Sequence, residues 1–331
     1  MKALRSHSKG GPETLTLDEI PDPVPGPGEV LIAVKACGIN FPDTLIVEDL
    51  YQYKPERPFS PGAEVAGVVE AVGAGVTGFR PGDRVAALLS YGGLCEKLTA
   101  AEERVFALPD GISFKTGAAL LLAYGTSLYA LKDRAQLQPG ETLLVLGAAG
   151  GTGLSAVELG KAMGARVVAA VSSEEKATAV RLAGADEVVI YGRPPFDKDQ
   201  SRALGAAFKS ACGPGGAQVI YDAVGGDYAE PAIRSIGWEG RYLVIGFTAG
   251  IPKLPLNLTL LKSCDVRGVF YGEFIAREPA RNAALIAELL DMTASGRIKP
   301  LISQSFPLAR GGEAIAELGE RRAIGKIVVT P

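Results

Sequence analysis

The sequence predicts an α/β protein, with a doubly wound parallel sheet joined to a β-rich domain. Three observations predict it. From roughly residue 115, strand-length apolar runs alternate with runs of helical period, as crossover units require. A glycine cluster, GAAGGTG (Gly147–Gly153), sits between one such strand and the next helix. The earlier part of the chain instead carries short β-rich runs separated by proline- and glycine-rich turns. The chain has 331 residues, enough for about two domains.

The early strands are expected at Leu15–Ile20, Val30–Ala36, Glu64–Ala71, Arg84–Leu89 and Cys95–Ala100. Turn clusters such as PDPVPGPGE (Pro21–Glu29) separate them, because proline fixes φ and glycine permits positive φ. Such spacing suggests a compact barrel or sandwich. Thr116–Leu131 then reads as helical, with a break at Tyr124–Thr126. Strands follow at Thr142–Leu146, Arg166–Val171, Glu187–Ile190, Gln218–Tyr221 and Arg241–Gly246. Between them lie helices at Gly153–Met163, Glu174–Ala183, Ala203–Ala211 and Tyr228–Ile236. The strands are near-continuous apolar runs, as expected when both faces of a sheet are covered. A strand at Cys264–Phe270, helices at Pro279–Ser295 and Leu308–Leu318 and a strand at Gly325–Val329 complete the chain. We therefore assign 123–265 to a Rossmann-type domain, and 1–122 with 266–331 to one β-rich domain.

Composition narrows the chemistry. The one histidine, His7, lies in a polar N-terminal stretch and reads as a surface residue. That argues against serine–histidine hydrolases, HExxH proteases and histidine-ligated zinc enzymes. The four cysteines form no CxxC pair, which argues against structural zinc and suits free thiols in a reducing cytoplasm. With 34 basic and 37 acidic residues the net charge is −3, so no basic surplus points to nucleic acid. No apolar run approaches the ~18 residues of a membrane span, and the N-terminal residues carry no signal-peptide core.

The glycine cluster is the strongest local signal. A tight turn between strand and helix lets backbone approach a pyrophosphate and aims helix N–H groups at its charge. This reading places Gly150, Gly151, Thr152 and Gly153 on a dinucleotide. At the end of the second strand, where an acidic residue would hold an NAD ribose, the chain has Ser172 and Ser173, then Glu174, Glu175 and Lys176. Small hydroxyls leave room for a 2′-phosphate and Lys176 can pair with it, so NADPH is expected over NADH.

The run GETLLVLGAAGGTGLSAVELGKAMGA (Gly140–Ala165) resembles the zinc-independent quinone oxidoreductases (zeta-crystallin-like) of the medium-chain dehydrogenase/reductase superfamily. The likeness extends through Gly11–Asp43, Pro61–Val85, GADEVVIY (Gly184–Tyr191), VIYDAVGG (Val219–Gly226) and GKIVV (Gly325–Val329). It implies a GroES-like β-rich catalytic domain beside the Rossmann-type doubly wound parallel sheet. Where zinc-dependent relatives carry a catalytic cysteine and a metal-binding histidine, this chain has Asn40 and Ala63, and the structural-zinc lobe is missing. Within the branch, Glu158 replaces a common glutamine and Ala148 the first glycine of the turn.

The resemblance implies that Ser172, Lys176 and Tyr191 meet the 2′-phosphate, with Arg321, or its neighbour Arg322, as a further candidate. It implies that Asn40, Asp43, Thr126, Phe247 and Val269–Tyr271, including Phe270 and Tyr271, line the nicotinamide and substrate side. Tyr51 and Tyr53, in the loop EDLYQYKPERP (Glu48–Pro58), are candidate proton donors or pocket walls. The expected activity is metal-free hydride transfer from NADPH to a quinone or enone. The alternatives are an enoyl-thioester or 2-alkenal reductase and, from another class, a non-enzymatic crystallin or RNA-binding role. The resemblance also implies a homodimer through the edge strand at Asp265–Tyr271.

Overall fold

The computed structural model describes all 331 residues, Met1–Pro331. Strands β1 (Lys2–Arg5) and β2 (Thr16–Glu19) pair as an antiparallel ribbon. Next come β3 (Glu29–Ile39), helix α1 (Phe41–Ile46), β4 (Glu64–Val72), β5 (Arg84–Leu88), β6 (Lys97–Ala101) and β7 (Val105–Ala107). Helices α2 (Phe114–Gly117) and α3 (Ala123–Leu128) lead into strict alternation: β8 (Thr142–Leu146), α4 (Gly151–Ala162), β9 (Arg166–Val171), α5 (Glu174–Leu182), β10 (Glu187–Ile190), α6 (Lys198–Cys212), β11 (Ala217–Asp222), α7 (Ala229–Arg234), β12 (Ile236–Val244), α8 (Asn257–Lys262) and β13 (Asp265–Gly268). The chain finishes with α9 (Tyr271–Arg277), α10 (Pro279–Ala294), β14 (Ile302–Pro307), α11 (Gly311–Gly319) and β15 (Lys326–Thr330).

Two compact units result: Met1–Ala123 with Pro279–Pro331, and Tyr124–Glu278. The first is built on a seven-stranded sheet ordered β14-β15-β3-β4-β5-β7, with β6 also paired to β3. Alternate residues Val30, Ile32 and Val34 of β3 face the same core as Val65, Val69, Val85, Ile327 and Val329, the period of two that a half-covered sheet requires. β15 runs antiparallel to β3, so the last strand of the chain lies beside one of the first.

The second unit is a six-stranded parallel sheet ordered β10-β9-β8-β11-β12-β13. In chain order that is third, second, first, fourth, fifth, sixth, so the order reverses between β8 and β11. Every residue of β8 is buried, as for a strand covered on both faces. A reversal of this kind opens a crevice at the carboxyl ends of the strands, where ligands of such sheets bind.

The structure departs from expectation at three places. The break expected at Tyr124–Thr126 is absent: α3 runs through it, and the irregular stretch lies earlier, between α2 and α3. Gly125 serves close packing instead of a turn, since a Cβ there would sit 2.6 Å from Cζ of Tyr271. Helices α8 and α9 were hidden by their mixed polarity, and the second unit continues past 265 to Glu278. β1, β7 and β14 are short or half-exposed and carry little periodic signal.

Candidate active site

The glycine-rich turn leaves β8 at the point where the strand order reverses. Gly147 has φ +66°, and a Cβ there would lie 2.7 Å from Val224 of the loop after β11, so the two loops meet across the crevice. A Cβ on Gly153 would collide with the Gly147 carbonyl oxygen and sit 2.8 Å from Ala148 Cα. No side chain caps α4, whose N-cap is Gly150, whereas Ser173 caps α5 and Asp197 caps α6. A close backbone approach and an uncapped helix start suit a pyrophosphate.

A buried hydroxyl network holds this turn. Ser127 Oγ donates to the Thr152 carbonyl (3.0 Å) and lies 2.7 Å from Ser155 Oγ and 2.8 Å from Tyr221 Oη. Ser155 Oγ donates to the same carbonyl (2.8 Å). Thr126 is the neighbour of Ser127 on α3. Glu158 of α4 accepts a hydrogen bond from the buried Tyr124 hydroxyl (2.8 Å).

The remaining cofactor-side candidates of the second unit lie at the same carboxyl edge. Ser172 follows β9, and its Oγ is 3.4 Å from Lys176 Nζ. Tyr191 follows β10, its N–H bonded to the Val171 carbonyl and its ring packed 4.6 Å from that of Tyr228. Phe247 follows β12, half-exposed and within 3.4 Å of where a Gly225 Cβ would be. Phe270 and Tyr271 follow β13. Phe270 is half-exposed, while Tyr271 is buried beside Phe274 and Tyr129. Arg321, at φ +58°, and Arg322 belong to the other unit. Arg322 pairs with Glu317 and Glu320.

In the first unit the strand ends build a buried charged cluster. Register places Ile327 opposite Ile39 and Gly38 opposite Glu64, which brings Lys326, Asn40 and Glu64 together. Lys326 Nζ donates to Asn40 Oδ1 (2.6 Å), Glu64 Oε1 (2.6 Å) and the Ile39 carbonyl (3.1 Å). Asn40 Nδ2 donates to Glu64 Oε1 (2.9 Å) and the Gly38 carbonyl (3.3 Å). Glu64 Oε2 accepts from the Leu122 N–H (2.9 Å).

Asp43 opens α1 in a capping box with Asn40. Its carboxylate accepts from the N–H groups of Asn40 and Gly62, each at 2.8 Å. Burial pushes its pKa up to about 6, against the lowering effect of those N–H groups and of Lys326. The folded carboxyl therefore holds its proton more tightly than an unfolded one. Its ionisation costs stability as pH rises from about 4 through about 6.

Tyr51 and Tyr53 share one loop, with rings 5.8 Å apart. Tyr51 packs against Ile46, Val47 and Phe59, and burial raises its phenol pKa, so it stays protonated. Arg57 ties the loop down through Asp49 (2.8 Å) and the Val47 carbonyl (2.9 Å).

The donor set does not suit a metal. At the two ligand positions of zinc-dependent relatives stand Ala63, which has no donor, and Asn40, whose amide is fully engaged. No three histidine, cysteine, aspartate or glutamate side chains converge as a ligand group. His7 is half-exposed and paired to Asp18 (2.7 Å).

Sequence reasoning missed Lys326 and Glu64 as site residues. The available signal was a lysine opening the apolar strand KIVV and a glutamate opening EVAGVV, since charges at the start of buried strands need partners.

Comparison with known proteins agrees with this architecture. Residues 26–128 match the family described as alcohol dehydrogenase GroES-like domain, and 151–289 that described as zinc-binding dehydrogenase. A quinone oxidoreductase from Pseudomonas aeruginosa is 36% identical over 100% of this chain and 99% of its own. Quinone oxidoreductase-like protein 2 from Bos taurus is 35% identical over 96% of this chain and 89% of its own. The crystal structure of Escherichia coli quinone oxidoreductase complexed with NADPH superposes with TM-score 0.90 at 31% identity, covering 100% of both chains. The Rossmann order, the GroES-like sheet and relatives matched over the whole length agree: this chain belongs to the zinc-independent quinone oxidoreductase family of the medium-chain dehydrogenase/reductase superfamily.

Proposed function

We propose that the protein is an NADPH-dependent reductase that transfers hydride to a quinone without a metal. The observation that carries this is the uncapped, glycine-lined start of α4 at the reversal point, with Ser172 and Lys176 at the next strand end. Bound NADPH would supply the hydride. Gly150, Gly151, Thr152 and Gly153 hold its pyrophosphate, and Ser172, Lys176, Tyr191 and Arg321 its 2′-phosphate. Thr126, Phe247, Phe270 and Tyr271 line the nicotinamide side. Asn40 and Asp43 set the acceptor loop, and Tyr51 and Tyr53 wall it.

A quinone makes the missing metal tolerable. Hydride delivery to a simple carbonyl leaves an alkoxide, whose closest simple analogue, water, ionises near ~15.7. A reduced quinone leaves a phenolate-like oxygen, with a pKa of about 10. At ~1.4 kcal/mol per pKa unit, the second anion needs several kcal/mol less stabilisation, and positioning supplies much of the rest.

A substrate panel tests the reading. NADPH oxidation is expected with quinones and much less with NADH as donor. Lys176→Ala should raise the Kd for NADPH about tenfold and leave NADH unchanged, the loss of one charge-assisted contact. No turnover of NADPH with any quinone or enone would refute the assignment. One observation favours enoyl or alkenal reduction as a second reading: the protonated Tyr51 phenol beside Tyr53, a donor for the α-carbon. Under that reading Tyr51→Phe or Tyr53→Phe slows alkenal turnover at least tenfold; under ours both leave quinone turnover within threefold.

We also infer a homodimer formed edge to edge through β13. Asp265, Val266 and Gly268 on that outer strand are exposed, and unpaired edges of parallel sheets invite pairing. Light scattering should give twice the chain mass, and Val266→Pro should halve it; a monomeric wild type ends the idea. Four unpaired buried thiols suit a reducing, cytoplasmic compartment, and no helix is long and apolar enough to cross a membrane.

A further inference from the structure

The buried lysine has no part in the scheme above. Lys326 is 3% exposed and Glu64 fully buried, and the ammonium makes three hydrogen bonds at 2.6, 2.6 and 3.1 Å. Burying such a pair gains little stability over a well-packed apolar pair, because desolvation offsets most of the attraction. A second consequence of the arrangement is geometric. The ammonium is a pure donor and meets the Asn40 amide oxygen, while Glu64 is an acceptor and meets the amide nitrogen. The amide thus has one possible orientation, with both of its protons engaged. Asn40 in turn gives its backbone N–H to Asp43, which holds Gly62. Lys326 therefore stands at the head of a chain of contacts that fixes 40–43 and the turn at Gly62.

We propose that Lys326 is a positioning residue of the reductase. Its ammonium locks Asn40 and Glu64 in one orientation and so holds the loop 40–43 in the shape that receives the acceptor. This rests on the reading that the loop faces the acceptor. The charge balance supports it. The charged and titratable groups facing Asp43 are Lys326, Glu64, the Cys37 thiol and Tyr51. Lys326 is the one cation among them, and it holds the Asp43 carboxyl down against burial.

Lys326→Met and the neutral pair Glu64→Leu/Lys326→Met separate positioning from mere ion pairing. With Lys326→Met, kcat/KM for quinone should fall about 100-fold, as displacements of ~1 Å do. The Kd for NADPH should stay within twofold. The Asp43 carboxyl, which titrates at about 6 in the wild type, should titrate higher without the ammonium, read by NMR. In the double variant the melting temperature should return to within a few degrees of the wild type while kcat/KM stays low. Recovery of both, or a folded Lys326→Met with kcat/KM within threefold of wild type, would overturn the proposal. Side-chain amide exchange of Asn40, read by NMR, is independent of turnover. It should quicken at least tenfold in Lys326→Met, and unchanged exchange would also overturn the clamp. If the wild type reduces no quinone, the functional reading falls and this exchange measurement alone decides the clamp.

Discussion

Gly153→Ala should raise the Kd for NADPH at least 100-fold, or about 2.7 kcal/mol. The added methyl would meet backbone on every side: the Gly147 carbonyl, the Gly147 carbonyl carbon at 2.8 Å and Ala148 Cα at 2.8 Å. None of these can swing aside as a side-chain end does. To admit the methyl, α4 must lift from the end of β8, which turns its first N–H groups away from the phosphates and strains the Ser127–Thr152–Ser155 contacts. Fluorescence titration of NADPH checks the affinity, and circular dichroism checks that the fold survives. A Kd within threefold of wild type would show that the turn has slack the structure does not reveal.

Asp222→Ala should cost about 3–5 kcal/mol of stability, read by urea unfolding. The Asp222 carboxylate ends β11, is 2% exposed, and accepts from the N–H groups of Val224 and Gly225 at 2.8 Å each and from the Tyr242 hydroxyl. Truncation strands three buried donors, each worth about 1–3 kcal/mol when left unmade. Asp222→Asn gives a sharper comparison. Its oxygen can keep both N–H groups while its amide donates to the Tyr242 oxygen, so the loss should stay below about 2 kcal/mol. Equal losses for the two variants would mean that charge, rather than satisfied hydrogen bonding, is what the loop needs. The same loop touches Gly147, so Asp222→Ala should also weaken NADPH binding.

What the sequence made legible follows from how local each signal is. β8, β9 and β10 are runs of apolar residues whose reading needs no partner, and their observed limits match those expected. The glycine cluster was legible because its requirement is local backbone geometry. Gly125 was misread because its cause is distant in sequence: it makes room for Tyr271. Asn40 and Asp43 were visible as family positions, but their meaning was not. The amide's engagement depends on Lys326, 286 residues away, and no periodicity relates the two.

The pairing of β15 with β3 has a consequence for synthesis. The strand that flanks β3, and the ammonium that orders the loop after it, leave the ribosome some 286 residues after Asn40. At about 5–20 residues per second, that is a wait of roughly 15–60 s. The second unit, contiguous from Tyr124 to Glu278, can fold within that interval. Throughout it, the nascent chain carries β3 unpaired on one side at Cys37–Ile39 and a buried-strand glutamate without its counter-ion, the state in which a chaperone would find it most exposed.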